Sequence, residues 1–399
     1  MWRREAPHVL STLLRRYGDF TTCEDAVQLA LIAAAEQWPR EGTPRNPAAW
    51  LTRVASRRAV DLLRADAARR DREERAATRE PGRASDPADP VESDAPDDTL
   101  LLLMLCAHPA LTTASQVALM LRAVGGLTTA QIAQCFFVEE RTMGQRISRA
   151  KRTLAGQGAR FEAPTAADLP ARLHAVRHAV AAVYAQDHAL TERVRGTDPL
   201  LAAAALDLAR RIHRLAPSDP ENAGLLALLL LTHARAPARL DAAGEIVPLA
   251  EQDRSRWSPR LIAEGIALIE RALPVGPVGP FQLQAAIAAV HAEARSMEDT
   301  DWAQILVLYG MLDAVEPAPS VTLGLAVATA EVAGPEAGLE ILDRLPEGSH
   351  RRQAVTGHLL SRLGRADEAR EAFLRAAEGT RSLPEQRYLH RLAGAIRPG

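Results

Sequence analysis

Gly125–Leu154, GGLTTAQIAQCFFVEERTMGQRISRAKRTL, decides how this chain is read. The stretch predicts two short helices joined by a tight turn. Thr128 or Thr129 offers a hydroxyl to a free backbone N–H at the start of the first helix. Ile132 and Ala133 then face a core, and Phe136, Phe137 and Val138 make the turn. Glu139 and Glu140 open the second helix, where the helix dipole favours acid. Met143, Ile147 and Leu154 recur near helical spacing, while Arg141, Gln145, Arg146, Arg149, Lys151 and Arg152 spread over the opposite side. That is a helix-turn-helix whose second helix fits a DNA major groove. An ordinary basic surface helix shares part of the pattern.

The 399 residues are enough for two or three domains. Hydrophobic residues make up 47% but aromatics only 4%. Ala, Leu and Arg dominate and β-branched runs are short, so the expected fold class is all-α. Lys151 is the only lysine. The net charge of −2 hides an asymmetry, because Arg57–Arg75 and Arg141–Arg160 are basic whereas Glu80–Asp98 is strongly acidic. A near-neutral total therefore does not exclude nucleic acid, whose binding depends on the local charge. Cys23, Cys106 and Cys135 are an odd number without metal-site spacing and read as reduced cytoplasmic thiols. Met1–Leu14 has no apolar signal core, and no run approaches the roughly 20 residues of a membrane helix. A cytoplasmic protein without membrane attachment is expected.

Four parts follow along the chain. Residues 1–78 are helical and interrupted by a loop at Trp38–Pro47, residues 79–98 form a flexible acidic linker, and residues 99–160 hold the helix-turn-helix. From 161 to 399, amphipathic helices are broken by Pro and Gly. Ala354–Thr380 has the small/large arrangement of a tetratricopeptide unit, with Leu359, Leu360 and Leu363 on one helix, Gly364 at the turn, and Ala369, Phe373, Ala376 and Ala377 on the other. Ala202–Leu231 and Pro335–Leu345 are weaker versions. An α-solenoid is expected, each helix pair burying its face against its neighbours.

Upstream, Glu24-Asp-Ala-Val-Gln28 opens a helix running to Trp38, and Asn46-Pro-Ala-Ala-Trp50 starts another that continues through Arg64. With the acidic linker and the helix-turn-helix, these motifs resemble, in order and spacing, an extracytoplasmic-function sigma factor of bacterial RNA polymerase. The rest resembles a subgroup in which a long tetratricopeptide-like extension follows. Cys106–Leu111, Gln252–Trp257, Gln282–Ile287 with His291–Glu293, and Thr300–Trp302 are similar to segments of that subgroup. Tyr184–Ala189 and Val332–Pro335 depart from it.

The resemblance implies a protein that binds core polymerase (the clamp and flap of the β′ and β subunits) and promoter DNA, with an unidentified regulatory protein as a further partner of the extension. Asp25, Val27 and Gln28 would contact polymerase. Arg45, Asn46, Arg53, Arg57, Arg58 and Arg64 would handle the −10 region, with Asp61 spaced to pair with Arg57 or Arg64. Arg141, Thr142, Gln145, Arg146 and Arg149 would reach −35 bases, and Lys151 and Arg152 would hold phosphates. Trp38 and Trp50 suit either base stacking or core packing, and core packing is the better fit to their amphipathic setting. Gly144 either lets the backbone approach DNA or is merely tolerated. Cys106 with His108 supplies only two of the ligands a metal site needs, and Asp241–Glu245 reads as a turn rather than a calcium loop. Phosphate-loop, dinucleotide and nucleophile-elbow motifs are absent from the sequence, so no enzyme, cofactor or metal is expected. A promoter-binding regulator that is no polymerase subunit, or a tetratricopeptide scaffold, are the other readings.

Overall fold

Side-chain caps set many of the helix boundaries in this computed structural model, which describes residues 2–77, 98–136, 138–158, 161–162, 164–165, 167–191, 200–380 and 382–396. Among them are eighteen α-helices and no strand, as an Ala/Leu/Arg-rich composition predicts. The chain divides into two compact units, Met1–Val183 and Tyr184–Gly399.

In the first unit, α1 (Trp2–Tyr17), α2 (Phe20–Glu41) and α3 (Pro47–Ala77) pack on one another. Helix α2 begins four residues before the Glu24 motif, because the Asp19 carboxylate accepts the Thr22 N–H at 2.7 Å. It also runs past Trp38, through Pro39. A proline so near a helix end forfeits one hydrogen bond, and the last turn still closes with the Gly42 N–H on the Trp38 carbonyl at 3.0 Å. The loop therefore shrinks to 42–46. Pro47 then occupies the first turn of α3. Trp38 is buried and meets the Trp50 ring edge-on at 5.5 Å, which is core packing.

Helices α4 (Thr99–Cys106), α5 (Thr113–Ala123), α6 (Thr129–Cys135) and α7 (Glu140–Gly156) follow. The expected acidic linker lies outside the described residues except for Asp98, which precedes α4 and accepts two bonds from the Arg15 guanidinium of α1. Helix α1 also touches α4 and α5, and α2 touches α7, so the two N-terminal parts share one unit. The division between the two units falls inside α8 (Leu169–Thr191).

The second unit comprises α9 (Leu200–Leu215), α10 (Pro220–Ala234), α11 (Pro259–Ala272), α12 (Pro280–Glu293), α13 (Trp302–Val315), α14 (Pro319–Ala333), α15 (Pro335–Leu342), α16 (His350–Arg362), α17 (Ala366–Gly379) and α18 (Leu383–Ala395). Most pack mainly on their sequence neighbours, α10 and α12 also pack closely on each other, and the core is a succession of local clusters. Ile287, Ile305 and Leu312 anchor one, Leu342 and Leu359 the next, Phe373 and Leu389 the last. That is the solenoid pattern. Gly364, at φ +73°, makes the turn between α16 and α17. Asp241 closes the 241–245 turn by accepting the Ala243 and Glu245 N–H groups.

One close approach makes a test. A Cβ on Gly224 in α10 would lie 2.6 Å from the Gln282 backbone nitrogen of α12. Backbone cannot yield as a side chain can, so Gly224→Ala is expected to cost about 1–3 kcal/mol, read as a lowered urea midpoint.

Candidate nucleic-acid interface

Thr128 and Gln131 start α6 with a reciprocal cap: the Thr128 hydroxyl accepts the Gln131 backbone N–H at 3.2 Å, and the Gln131 side-chain Oε1 accepts the Thr128 N–H at 3.0 Å. Ile132 and Ala133 are buried, as are Met143, Ile147 and Leu154 of α7. That burial fixes which side of α7 faces out. Arg141, Thr142, Gln145, Arg149 and Arg152 are exposed along it, while Arg146 is half-buried with its guanidinium 5.5 Å from the centre of the Phe136 ring. A row of cations and amides on an otherwise unpaired helix face suits phosphates and base edges.

Gly144 lies on this helix with open space around it, since an added Cβ would meet only a Thr129 methyl at 4.0 Å. The tolerated reading therefore fits the packing. Gly144→Ala is expected to stabilise the first unit by about 0.5–1 kcal/mol through helix propensity, measured by thermal unfolding.

Helix α3 presents a second basic row. Arg53, Arg57, Arg58, Asp61 and Arg64 are all exposed, opposite the buried Leu51, Ala55 and Ala59. Asp61 forms no ion pair with Arg57 or Arg64; an exposed pair gains too little Coulomb energy to hold two long side chains together. Arg45 is exposed in the preceding loop. Asn46 has a structural task there, its Oδ1 accepting the Ala49 N–H at 3.0 Å to cap α3.

The Glu24–Gln28 motif divides between two faces of α2. Val27 is buried in the core and is not on the accessible face. Asp25 is half exposed and Gln28 is partly exposed. Leu29 and Ile32, 39% and 55% exposed, continue from Asp25 at i+4 and i+7. Two large apolar side chains thus stand in solvent on one stripe with Asp25. The helical spacing carried that signal, which the motif reading passed over.

Lys151 departs from its expected place. Its ammonium is buried, bonded to Glu24 and, at 2.7 Å, to Asp25 Oδ1. Glu24 is 1% exposed and also accepts the Arg122 Nε–H at 2.8 Å, while Arg122 Nη1 donates to the Thr129 hydroxyl at 3.0 Å. Burial pushes the Glu24 carboxyl up, but Lys151 and Arg122 outweigh it and hold it below the usual carboxylate range. The only lysine thus ties α7 to α2, and in this arrangement it cannot hold a phosphate. Neither Glu24 nor Arg122 was marked in the sequence; their partners lie about a hundred residues away.

Cys23 and Cys106 are free thiols buried in the first unit. Burial pushes Cys23 up to about 12 and raises Cys106 as well, so both stay protonated. His108 accepts the Ala110 N–H through Nδ1, a local turn contact.

Family models match three stretches: Sigma-70 region 2 over residues 1–69, Sigma-70, region 4 over 101–154, and a family of unknown function (DUF6596) over 172–273. An uncharacterized protein of Rhizobium meliloti (strain 1021) is 42% identical over 392 residues, covering 96% of this chain and 92% of that protein. No solved structure matches. Among the described residues, no helix is long and apolar enough to cross a membrane.

Proposed function

The chain belongs to the extracytoplasmic-function type of sigma factor with a C-terminal extension, and from that premise we propose how its two regions divide the work of promoter recognition. It is an RNA polymerase sigma factor, and its partners are core polymerase and promoter DNA. The exposed row on α7 reads the −35 element: Arg141 and Arg149 suit guanine and Gln145 adenine, with Thr142 and Arg146 beside them and Arg152 on phosphate. The row on α3, with Arg45, grips the −10 strand as it opens. Binding energy alone drives that opening.

Asp25, Gln28, Leu29 and Ile32 form the polymerase-docking stripe. The observation that carries this reading is the pair of exposed apolar side chains in register with the acidic motif. In the free chain Lys151 occupies Asp25, so docking requires α7 to release α2. The same release would let Lys151 reach DNA. The extension regulates this step in cis, a reading supported by its fusion to the same chain.

A titration of core polymerase against the full-length protein tests the docking stripe. Asp25→Ala with Ile32→Ser is expected to weaken binding by about tenfold or more. Unchanged affinity would favour a DNA-binding regulator that never joins polymerase. Cis regulation is tested by comparing transcription by the full chain with that by residues 1–183; equal transcript yields would refute it.

A further inference from the structure

Three stretches that promoter recognition leaves unused, 252–257, 282–291 and 300–302, converge on one wall in the second unit. Arg254 Nη1 donates to the His291 and Ala294 carbonyls, each at 2.6 Å. The Arg254 guanidinium lies 4.7 Å from the centre of the Trp257 ring, and Arg235 lies 5.9 Å from the same ring. His291 meets the Trp302 ring edge-on at 5.3 Å. Against this wall is a cavity of about 370 Å³, lined by Arg235 and His291 with Gln284, Tyr309 and Glu316, and otherwise mainly by apolar side chains of α10, α12, α13 and α14. Its size lies at the low end of the range for small-ligand sites.

The wall is over-supplied with donors. Among the described residues no carboxylate pairs with Arg235. Burial pulls its pKa down, Arg254 adds to that, and only Tyr184 acts in the other direction. Among the described residues, Arg254 Nη2, Trp257 Nε1 and His291 Nδ1 are buried without hydrogen-bond partners. Burial and the two arginines hold His291 near pH 4, so its ring stays neutral and adds no third charge. Unsatisfied buried donors are costly, and two like charges sharing one ring repel. The fold retains both. Asp299 and Glu298 act on Arg254, which leaves Arg235 as the cation on the cavity lining that an anion would neutralise.

The lining restricts which anion. A guanidinium fork accepts a carboxylate or a phosphate equally well. Glu316 on the same lining disfavours a dianion, and the apolar walls of Leu228, Ile287 and Leu312 disfavour a small, strongly hydrated one. The Tyr309 ring is seated so closely on Gly324 that a Cβ there would fall 2.2 Å from it, which keeps that wall in place. We propose that this cavity binds a small organic monocarboxylate with an apolar tail, its carboxylate on Arg235. The site stands on the second unit alone and does not depend on the polymerase reading.

The test uses full-length protein and octanoate as the probe, followed by calorimetry and thermal unfolding, with octanol, octylamine and inorganic phosphate as comparisons. Octanoate is expected to bind saturably at one site and raise the melting temperature. Octanol should bind about tenfold more weakly or worse, and octylamine and phosphate not at all. Arg235→Gln should weaken octanoate about tenfold while leaving octanol unchanged. Ala288→Leu, which fills the cavity without touching a charge, should block both and decides the matter if Arg235→Gln does not fold. No saturable octanoate binding, equal binding of octanol or phosphate, or octanoate binding undiminished in the folded variants would each overturn the proposal.

Discussion

Replacing Glu24 by Leu is expected to lower the unfolding free energy of the first unit by about 3–5 kcal/mol, one of the largest single effects in the molecule. The residue is 1% exposed and takes both Lys151 and Arg122. Removing one member of a buried ionic group strands its partners in a medium that cannot solvate them, which costs more than the pair itself contributes. Lys151→Met should cost a comparable amount. The double variant Glu24→Leu with Lys151→Met should cost less than the two single losses summed, because it removes charge and countercharge together. Urea unfolding read by circular dichroism checks all three. Additive losses would mean that the two side chains do not interact.

The sign with pH follows from the same cluster. The folded carboxyl lies below its usual value, so its contribution is fully present above the unfolded value of about 4.3 and fades as pH falls through the folded one. The gap between the native chain and Glu24→Gln should therefore be widest at neutral pH and narrow in acid. Function should move the other way from stability. Lys151→Met frees Asp25, so core polymerase should bind the variant more tightly, within the 5–150-fold span of ordinary coupling energies, at about 1–3 kcal/mol. Weaker binding would show that Lys151 supports the docking face instead of masking it.

The second large effect concerns the α7 row. Arg141→Ala and Arg149→Ala are each expected to cost about 1–3 kcal/mol in affinity of the holoenzyme for its upstream element, with relaxed choice of base at one position. Arg152→Ala should weaken all sequences alike and reduce the salt slope by about 1. Competition binding at two salt concentrations separates the outcomes. All three are exposed and off the core, so folding should be untouched. A uniform loss from all three would make α7 a phosphate clamp without base readout.

What could be read in the chain depended on how local its physics is. The helix-turn-helix was legible because its signals, the Thr128 cap and the Met143/Ile147/Leu154 face, act within a few residues. The α16–α17 pair was legible for the same reason, with Gly364 at the turn and Phe373 buried behind it. Pro39 misled about the end of α2, since a proline in the last turn costs one bond rather than the helix. Asn46 read as a DNA ligand, and its Oδ1 also caps α3. Lys151 read as a phosphate contact because nothing within its own helix reveals Glu24, 127 positions earlier. The cavity around Arg235 was hidden for a similar reason: its wall is assembled from separate segments spread from Leu228 to Val321.

Run-off transcription with purified core polymerase, on promoter fragments recovered with polymerase carrying this chain, bears most directly on the central claim. Two-part promoter recognition predicts transcripts that require both elements, vanish with α3 variants such as Arg53→Ala combined with Arg57→Ala, and lose upstream selectivity with Arg149→Ala. Duplex binding by the isolated protein, with no transcript even when core polymerase is bound, would contradict it.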